Sequence, residues 1–263
     1  MTYLKNMEDK ILEVAKQAAL EAGKIIKKYY LTELDLQNKG HFTNFATKAD
    51  VESEQKIIEI LTKNFPSHNI IAEESGMVNK NSQYSWAIDP IDGTIPFVDG
   101  IPVFGVSIGI LKDNKPFAGV INMVATDELY WAMKGKGAFL NGKKIKVREE
   151  SNLQNCTIAL DLGHTDRIFK LDKFFRPIAE KVRHIYMLGS AVSALCYVAK
   201  GFLDAYIIRA NIWDFAAGVV LVEEAGGKVT GLLGGEVDYQ EAKPQLICSN
   251  GVVHEEILKV YKE

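Results

Sequence analysis

Trp86-Ala87-Ile88-Asp89-Pro90-Ile91-Asp92-Gly93-Thr94 is the stretch on which the fold turns. An apolar run ends in two aspartates three residues apart, then a Gly-Thr step. Pro90 biases Asp89 toward extended backbone, and Gly93 permits a turn where a side chain would clash. The expectation is a buried strand with two carboxylates at its mouth. The N–H groups of Gly93 and Thr94 are then available to an anion. Oxygen ligands beside an anion cradle suit magnesium-assisted phosphate chemistry. The same residues also suit an ordinary Asp-Gly turn after a strand.

Further acids stand at the edges of other apolar segments. Asp50 closes Thr47-Lys48-Ala49-Asp50, before a helical pattern carrying Ile57, Ile58 and Leu61. Glu73-Glu74-Ser75 follows the short apolar run Ile70-Ile71-Ala72, and Asp214 follows Trp213. Taken singly, Asp50 and Asp214 suit helix caps, and Glu73-Glu74 suits an exposed loop. Gathered in one place, they would repel strongly. Two charges 4 Å apart interact at about 4 kcal/mol under an effective dielectric near 20. Protons or cations would have to neutralise such a cluster. Carboxylates without histidine or thiolate partners favour Mg²⁺ over Zn²⁺. The five histidines are scattered, with no His-x-x-x-His pair.

The 263 residues can bury a large core, and 47% hydrophobic with 25% charged residues is ordinary for a globular protein. A net charge of -3 argues against a broad nucleic-acid or membrane-surface binder. Cys156, Cys196 and Cys248 each sit in an apolar run and form no metal-spaced pair, as expected of buried thiols in a reducing compartment. With no leader-like segment and no membrane-length apolar stretch, a cytoplasmic protein is expected.

Helical periodicity predicts helices from about Asn6 to Tyr30 and from Val51 to Asn64. Strand-like runs follow at Val103–Leu111, Phe117–Val124 and Glu128–Ala132. Asn141-Gly142 marks a hairpin. These runs predict an antiparallel meander. The polar stretch Glu149–Asn155 divides the chain into an N-terminal α+β half (1-150) and a C-terminal α/β half (151-263), closely packed as one unit. In the second half, strands are expected at Cys156–Leu160, His184–Leu188, Asp204–Arg209 and Gln245–Cys248. Helices are expected over Asp166–Val182 and Ala191–Ala199, from near Asp214 to Gly226-Gly227, and from Val252. Trp86, Trp131 and Trp213 read as core, Lys143-Lys144-Ile145-Lys146 as a solvated face, and His164 as a loop residue.

Glu73-Glu74-Ser75, Asp89-Pro90-Ile91-Asp92-Gly93-Thr94 and Trp213-Asp214-Phe215-Ala216-Ala217-Gly218 together resemble the signature motifs of the inositol monophosphatase family. Gly189-Ser190-Ala191 and Glu224-Ala225-Gly226-Gly227 fit the same pattern, and the resemblance covers nearly the whole chain. It implies an α/β (mixed α+β) protein, a layered αβαβα sandwich shared with fructose-1,6-bisphosphatase. It also implies a Mg²⁺-dependent, lithium-sensitive phosphomonoesterase using two or three ions on a small phosphorylated substrate, and a homodimer. By that resemblance, Glu73, Asp89 and the Ile91 carbonyl hold one metal. Asp89, Asp92 and Asp214 hold a second, and Glu73 serves a third. Thr94 paired with Asp50 activates water, with Glu73 counted among the catalytic groups. Gly93 and Thr94 bind phosphate, Asp92 with the Gly189, Ser190 and Ala191 backbone contacts substrate hydroxyls, and Lys39 stands near the flexible metal site.

Two departures bear on the substrate. Pro96 stands where members acting on inositol phosphates usually carry Asn, and Gly100–Gly105 resembles histidinol-phosphate phosphatases. The strand ending at Arg209 lacks the glutamate that animal inositol monophosphatases use to hold an inositol hydroxyl. Arg209 is either a solvated charge or a clamp for a second anion. Fructose 1,6-bisphosphate, histidinol phosphate and NADP are therefore alternative substrates. A non-catalytic interaction protein is the alternative outside enzymes, and the complete acid set counts against it.

Overall fold

The computed structural model describes residues 2–41, 44–163 and 166–262. Helix α1 (Thr2–Tyr29) buries Ile11, Ala15, Ala18, Ala22 and Ile26 along one stripe, the helical spacing made physical. A small hairpin of β1 (Gln37–His41) and β2 (Asn44–Ala46) leads into α2 (Lys48–Asn64). Then come β3 (Asn69–Ala72), β4 (Gly76–Val78), β5 (Tyr84–Asp92), α3 (Thr94–Val98), β6 (Gly105–Lys112), β7 (Lys115–Met123), β8 (Glu128–Met133), β9 (Gly137–Leu140) and β10 (Lys143–Lys144). These strands form an eight-stranded sheet in the order β10-β9-β8-β7-β6-β5-β3-β4. From β5 to β10 it is the antiparallel meander expected, but β3 runs parallel to β5. Asn141 and Gly142 take positive φ at the β9–β10 turn.

The second part runs β11 (Thr157–Leu160), α4 (Arg167–Lys170), a π turn (Leu171–Phe175), α5 (Arg176–Ile178), β12 (His184–Tyr186) and α6 (Ala191–Ala199). It continues with β13 (Ala205–Arg209), α7 (Ile212–Glu224), β14 (Lys228–Gly231), β15 (Gln245–Ser249) and α8 (His254–Lys262). Its sheet has the order β12-β11-β13-β15-β14. β14 and the β1–β2 hairpin were not expected. The former is four residues ending in glycine, and the latter is polar throughout β1, so neither shows apolar alternation. The mostly helical stretch expected over 166–182 is helical from Arg167 to Ile178, as two short α pieces joined through the π turn.

The elements stack in five layers. α1 and α2 cover one face of the large sheet, where Trp86, Ile88, Ile108, Ile110 and Val120 join the core. α6 and α7 lie between the two sheets, and α5 and α8 cover the outer face of the small one. α7 sits unusually close to the large sheet. A Cβ on Gly119 would stand 2.4 Å from the Ala217 carbonyl oxygen, so only glycine admits the helix there. The close approach carries the first turn of α7 to the end of β5. Among the described residues, no helix is long and apolar enough to cross a membrane.

Candidate active site

A cleft of about 680 Å³ opens where β5, β11 and β13 end. β5 is buried along its whole length. Its pairing passes from Asp89 opposite Ser107 to Asp92 opposite Gly105, so Pro90 and Ile91 form a bulge. Proline is tolerated at a bulge because no ladder hydrogen bond is owed there. The Ile91 N–H donates to Asp89 Oδ1 at 2.9 Å, fixing that carboxylate at the bend. Gly93 then takes φ +89°, and a Cβ on it would meet the Val103 carbonyl at 2.8 Å and Ser190 Cβ at 2.9 Å. The turn therefore requires glycine, and α3 starts immediately after it.

Asp89, Asp92 and Asp214 each present a carboxylate oxygen within 4.8 Å of the others. Asp92 is held by the start of α6. It accepts the Ser190 hydroxyl, the Ala191 N–H at 3.2 Å and the Val192 N–H at 3.1 Å. Asp214 accepts the Asn211 N–H at 2.8 Å. Burial drives all three carboxyls above their ordinary range. Asp89 is raised further by the charges of Glu73, Asp92 and Asp214, and Asp214 by those of Glu73 and Asp92. Asp92 is pushed up to about 7, because burial outweighs the bonds from Ser190, Val192 and Ala191. Like charges packed this tightly call for a cation. The donors are all hard oxygens, so the set fits Mg²⁺.

Glu73 lies beside this trio, within side-chain hydrogen-bonding reach of Asp89. Its Oε1 receives the Lys39 ammonium at 3.0 Å, and Lys39 also donates to Glu74. Burial pushes the Glu74 carboxyl up to about 7 despite that bond. Lys39 thus extends from the β1–β2 hairpin into the acidic cluster.

Three expectations need correction. Asp50 does not cap α2: Thr47 is the cap, and Asp50, three residues on, accepts the Thr47 N–H at 2.7 Å and its hydroxyl at 2.6 Å. Asp214 likewise sits three residues past its cap, Asn211. Second, no hydrogen bond joins Thr94 to Asp50. The Thr94 hydroxyl donates to the Ile91 carbonyl at 3.1 Å, while Asp50 is engaged by Thr47. Third, the Gly189 and Ala191 N–H groups and the Ser190 hydroxyl are already used. The Gly189 N–H goes to Asp161 at 2.8 Å, and Ser190 Oγ and the Ala191 N–H go to Asp92.

Arg209 lines the cleft, and its guanidinium stands 3.5 Å from Asp166. Arg167, Lys170 and Lys243 line the same cleft. Lys170 is buried and donates to the Leu162 carbonyl at 2.7 Å. Burial, with the charges of Lys243 and Arg209, lowers its pKa. Asp161 went unnoticed in the sequence. It accepts the Gly189 N–H and the Tyr206 hydroxyl, both at 2.8 Å, at the cleft wall. An acid directly after an apolar strand, the pattern that singled out Asp89, would have found it. The lysines carry no comparable signal. His164 lies outside the described residues.

Residues 7–263 match the sequence model of the inositol monophosphatase family. The chain is 35% identical over 259 residues to the fructose-1,6-bisphosphatase/inositol-1-monophosphatase of Aquifex aeolicus, covering 97% of this chain and 96% of that protein. The extragenic suppressor protein suhB from Bartonella henselae superposes with a TM-score of 0.90 at 32% identity, covering 97% and 99% of the two chains. The inositol monophosphatase from Anabaena superposes with a TM-score of 0.86 at 34% identity, covering 97% and 96%.

Proposed function

The chain belongs to the inositol monophosphatase family and is a phosphatase, and from that premise we propose that it hydrolyses a small phosphorylated polyol or sugar, such as inositol 1-phosphate, with Mg²⁺. The observation that carries this reading is the trio Asp89, Asp92 and Asp214, two of them buried and the third half-buried, mutually repelling at the mouth of a cleft. In the proposed arrangement these three hold one ion. Glu73, Asp89 and the Ile91 carbonyl hold another, and Glu73 serves a third. Bound there, Mg²⁺ would supply charge neutralisation for the phosphoryl oxygens and acidify a water molecule.

The chain's own groups do the rest. In this reading the Gly93 and Thr94 N–H groups, at the start of α3 and in the cleft lining, bind phosphoryl oxygens. Thr94 and Glu73 orient the attacking water from the cleft wall. Thr47 occupies only the Oδ2 atom of Asp50, and in this reading Oδ1 is the atom that pairs with Thr94 once the Thr94 hydroxyl turns from the Ile91 carbonyl. Asp92 and the remaining backbone groups of residues 189–191 meet the substrate's hydroxyls, the Gly189 and Ala191 N–H groups being engaged by Asp161 and Asp92. Lithium sensitivity, a cytoplasmic setting, a homodimer, and two halves (1-150 and 151-263) working as one unit complete the proposal. The test is release of phosphate from inositol 1-phosphate by purified protein, with Mg²⁺ and with a chelator. Absence of metal-dependent turnover on any phosphomonoester would leave the non-catalytic alternative standing.

A second reading has its own support. Arg167, Lys170, Arg209 and Lys243 put four cations around the cleft, opposite in sign to its acidic end. A plain polyol monophosphate has nothing for them, whereas a bisphosphorylated sugar does. The relative from Aquifex aeolicus bears both activities in its name. Turnover of fructose 1,6-bisphosphate against inositol 1-phosphate, in the wild type and in Arg209→Ala, separates the readings. An equal effect on both substrates would remove Arg209 from substrate selection.

A further inference from the structure

Glu54 is a buried carboxylate that the reaction scheme above does not use. It projects from α2 and is 2% exposed. Among the described residues, the structure shows no salt bridge to it. Its hydrogen-bond partners are two backbone amides of one turn. Oε2 accepts the Glu74 N–H at 2.9 Å, and Oε1 accepts the Ser75 N–H at 2.8 Å. Burying a carboxylate without a cation is costly, and here both oxygens are spent on the loop between β3 and β4. That loop begins with Glu73, whose own N–H donates to the Ile88 carbonyl of β5 at 3.1 Å. Glu73 is therefore pinned on both sides: behind by the sheet, ahead by Glu54.

We infer that Glu54 is a positioning residue that aims the Glu73 carboxylate at Asp89 and so sets the affinity of the Glu73 metal position. The inference rests on the metal reading proposed above. Without Glu54 the two amides would have to seek water, and the turn could relax away from β5. Partners that orient a metal-holding carboxylate are typically worth 10- to 100-fold in metal affinity.

The experiment is a calorimetric Mg²⁺ titration of the full chain as a double-mutant cycle with Glu54→Gln and Glu73→Gln. The amide of Glu54→Gln keeps the shape but turns an NH₂ group on one of the two N–H donors. In the wild-type background, Glu54→Gln is expected to weaken Mg²⁺ binding about tenfold or more. In the Glu73→Gln background, it is expected to change binding less than about twofold, because there is no carboxylate left to aim. Glu54→Asp keeps the charge but shortens the reach, and it is expected to behave like Glu54→Gln. Equal losses in both backgrounds, or wild-type affinity in either Glu54 variant, would overturn the inference. Hydrogen exchange at the Glu74 and Ser75 amides of metal-free protein reads the tether directly and is expected to quicken in Glu54→Gln. Should wild-type protein bind no Mg²⁺, the metal reading fails. The exchange rates then decide alone whether Glu54 fixes the turn, and unchanged rates would refute it.

Discussion

At the scale of single residues, the site is a repulsive arrangement held by the rest of the molecule. Replacing Asp89 by Asn removes one charge from the trio. Metal-dependent turnover is expected to fall about 100-fold or more, while the melting temperature of metal-free protein holds or rises. Thermal unfolding with and without Mg²⁺ checks both, and a variant that keeps its turnover would reassign the metal. The raised carboxyls also set a pH dependence. Asp50 is pushed up to about 6, mainly by burial, and Glu74 and Asp92 to about 7. The unfolded chain ionises these groups near pH 4. Their contribution to stability is therefore fully present below about pH 4 and is lost as pH rises toward about 7. Melting curves of metal-free protein from pH 5 to pH 8 are expected to show a falling midpoint, and Mg²⁺ to restore more at pH 8 than at pH 5. The acids themselves were legible in the sequence because each ends an apolar run. Their hydrogen bonds were not, since Thr47 and Ile91 compete for Asp50 and Thr94 and only packing decides between partners.

At the scale of elements, α7 matters most, because it brings Asp214 from a distant part of the chain to β5. Its fit against β7 depends on the absence of a side chain at position 119. Gly119→Ala is expected to cost about 1–3 kcal/mol through overpacking, lowering the midpoint by about 2–4 °C per kcal/mol. It should also weaken Mg²⁺ binding, because the Asp214 end of the helix is levered outward. Calorimetry on that variant would show the affinity change, and unaltered affinity would mean that α7 is not seated by this contact. The apolar pattern of α7 shows a helix plainly, running to Glu224 before Gly226 and Gly227. It could not show which sheet the helix serves, since that depends on small residues meeting across the chain. The bulge in β5 was half visible, as a proline in an otherwise continuous apolar strand.

At the scale of the whole molecule, the cleft belongs to both halves. Asp89, Asp92 and Glu73 come from the large sheet and its loops, Asp214 and the cationic wall from the remainder. The face of the large sheet carrying Ile121, Met123, Tyr130 and Ala132 is covered by α7 and its neighbours. A fragment of residues 1–150 is therefore expected to expose that face and fail to stay soluble, which light scattering would register. A soluble, cooperatively melting fragment would make the first half an independent domain. Composition and periodicity alone reached a mixed α/β chain. The five-layer order came from the resemblance, because layer order depends on which faces meet. Lys39, lodged between Glu73 and Glu74, means that the chain carries a substitute for part of its own inorganic charge. Chelation then leaves that corner of the cleft partly neutralised rather than bare, so the emptied protein is expected to endure depletion in a native shape and to reload on simple dialysis, with no refolding step.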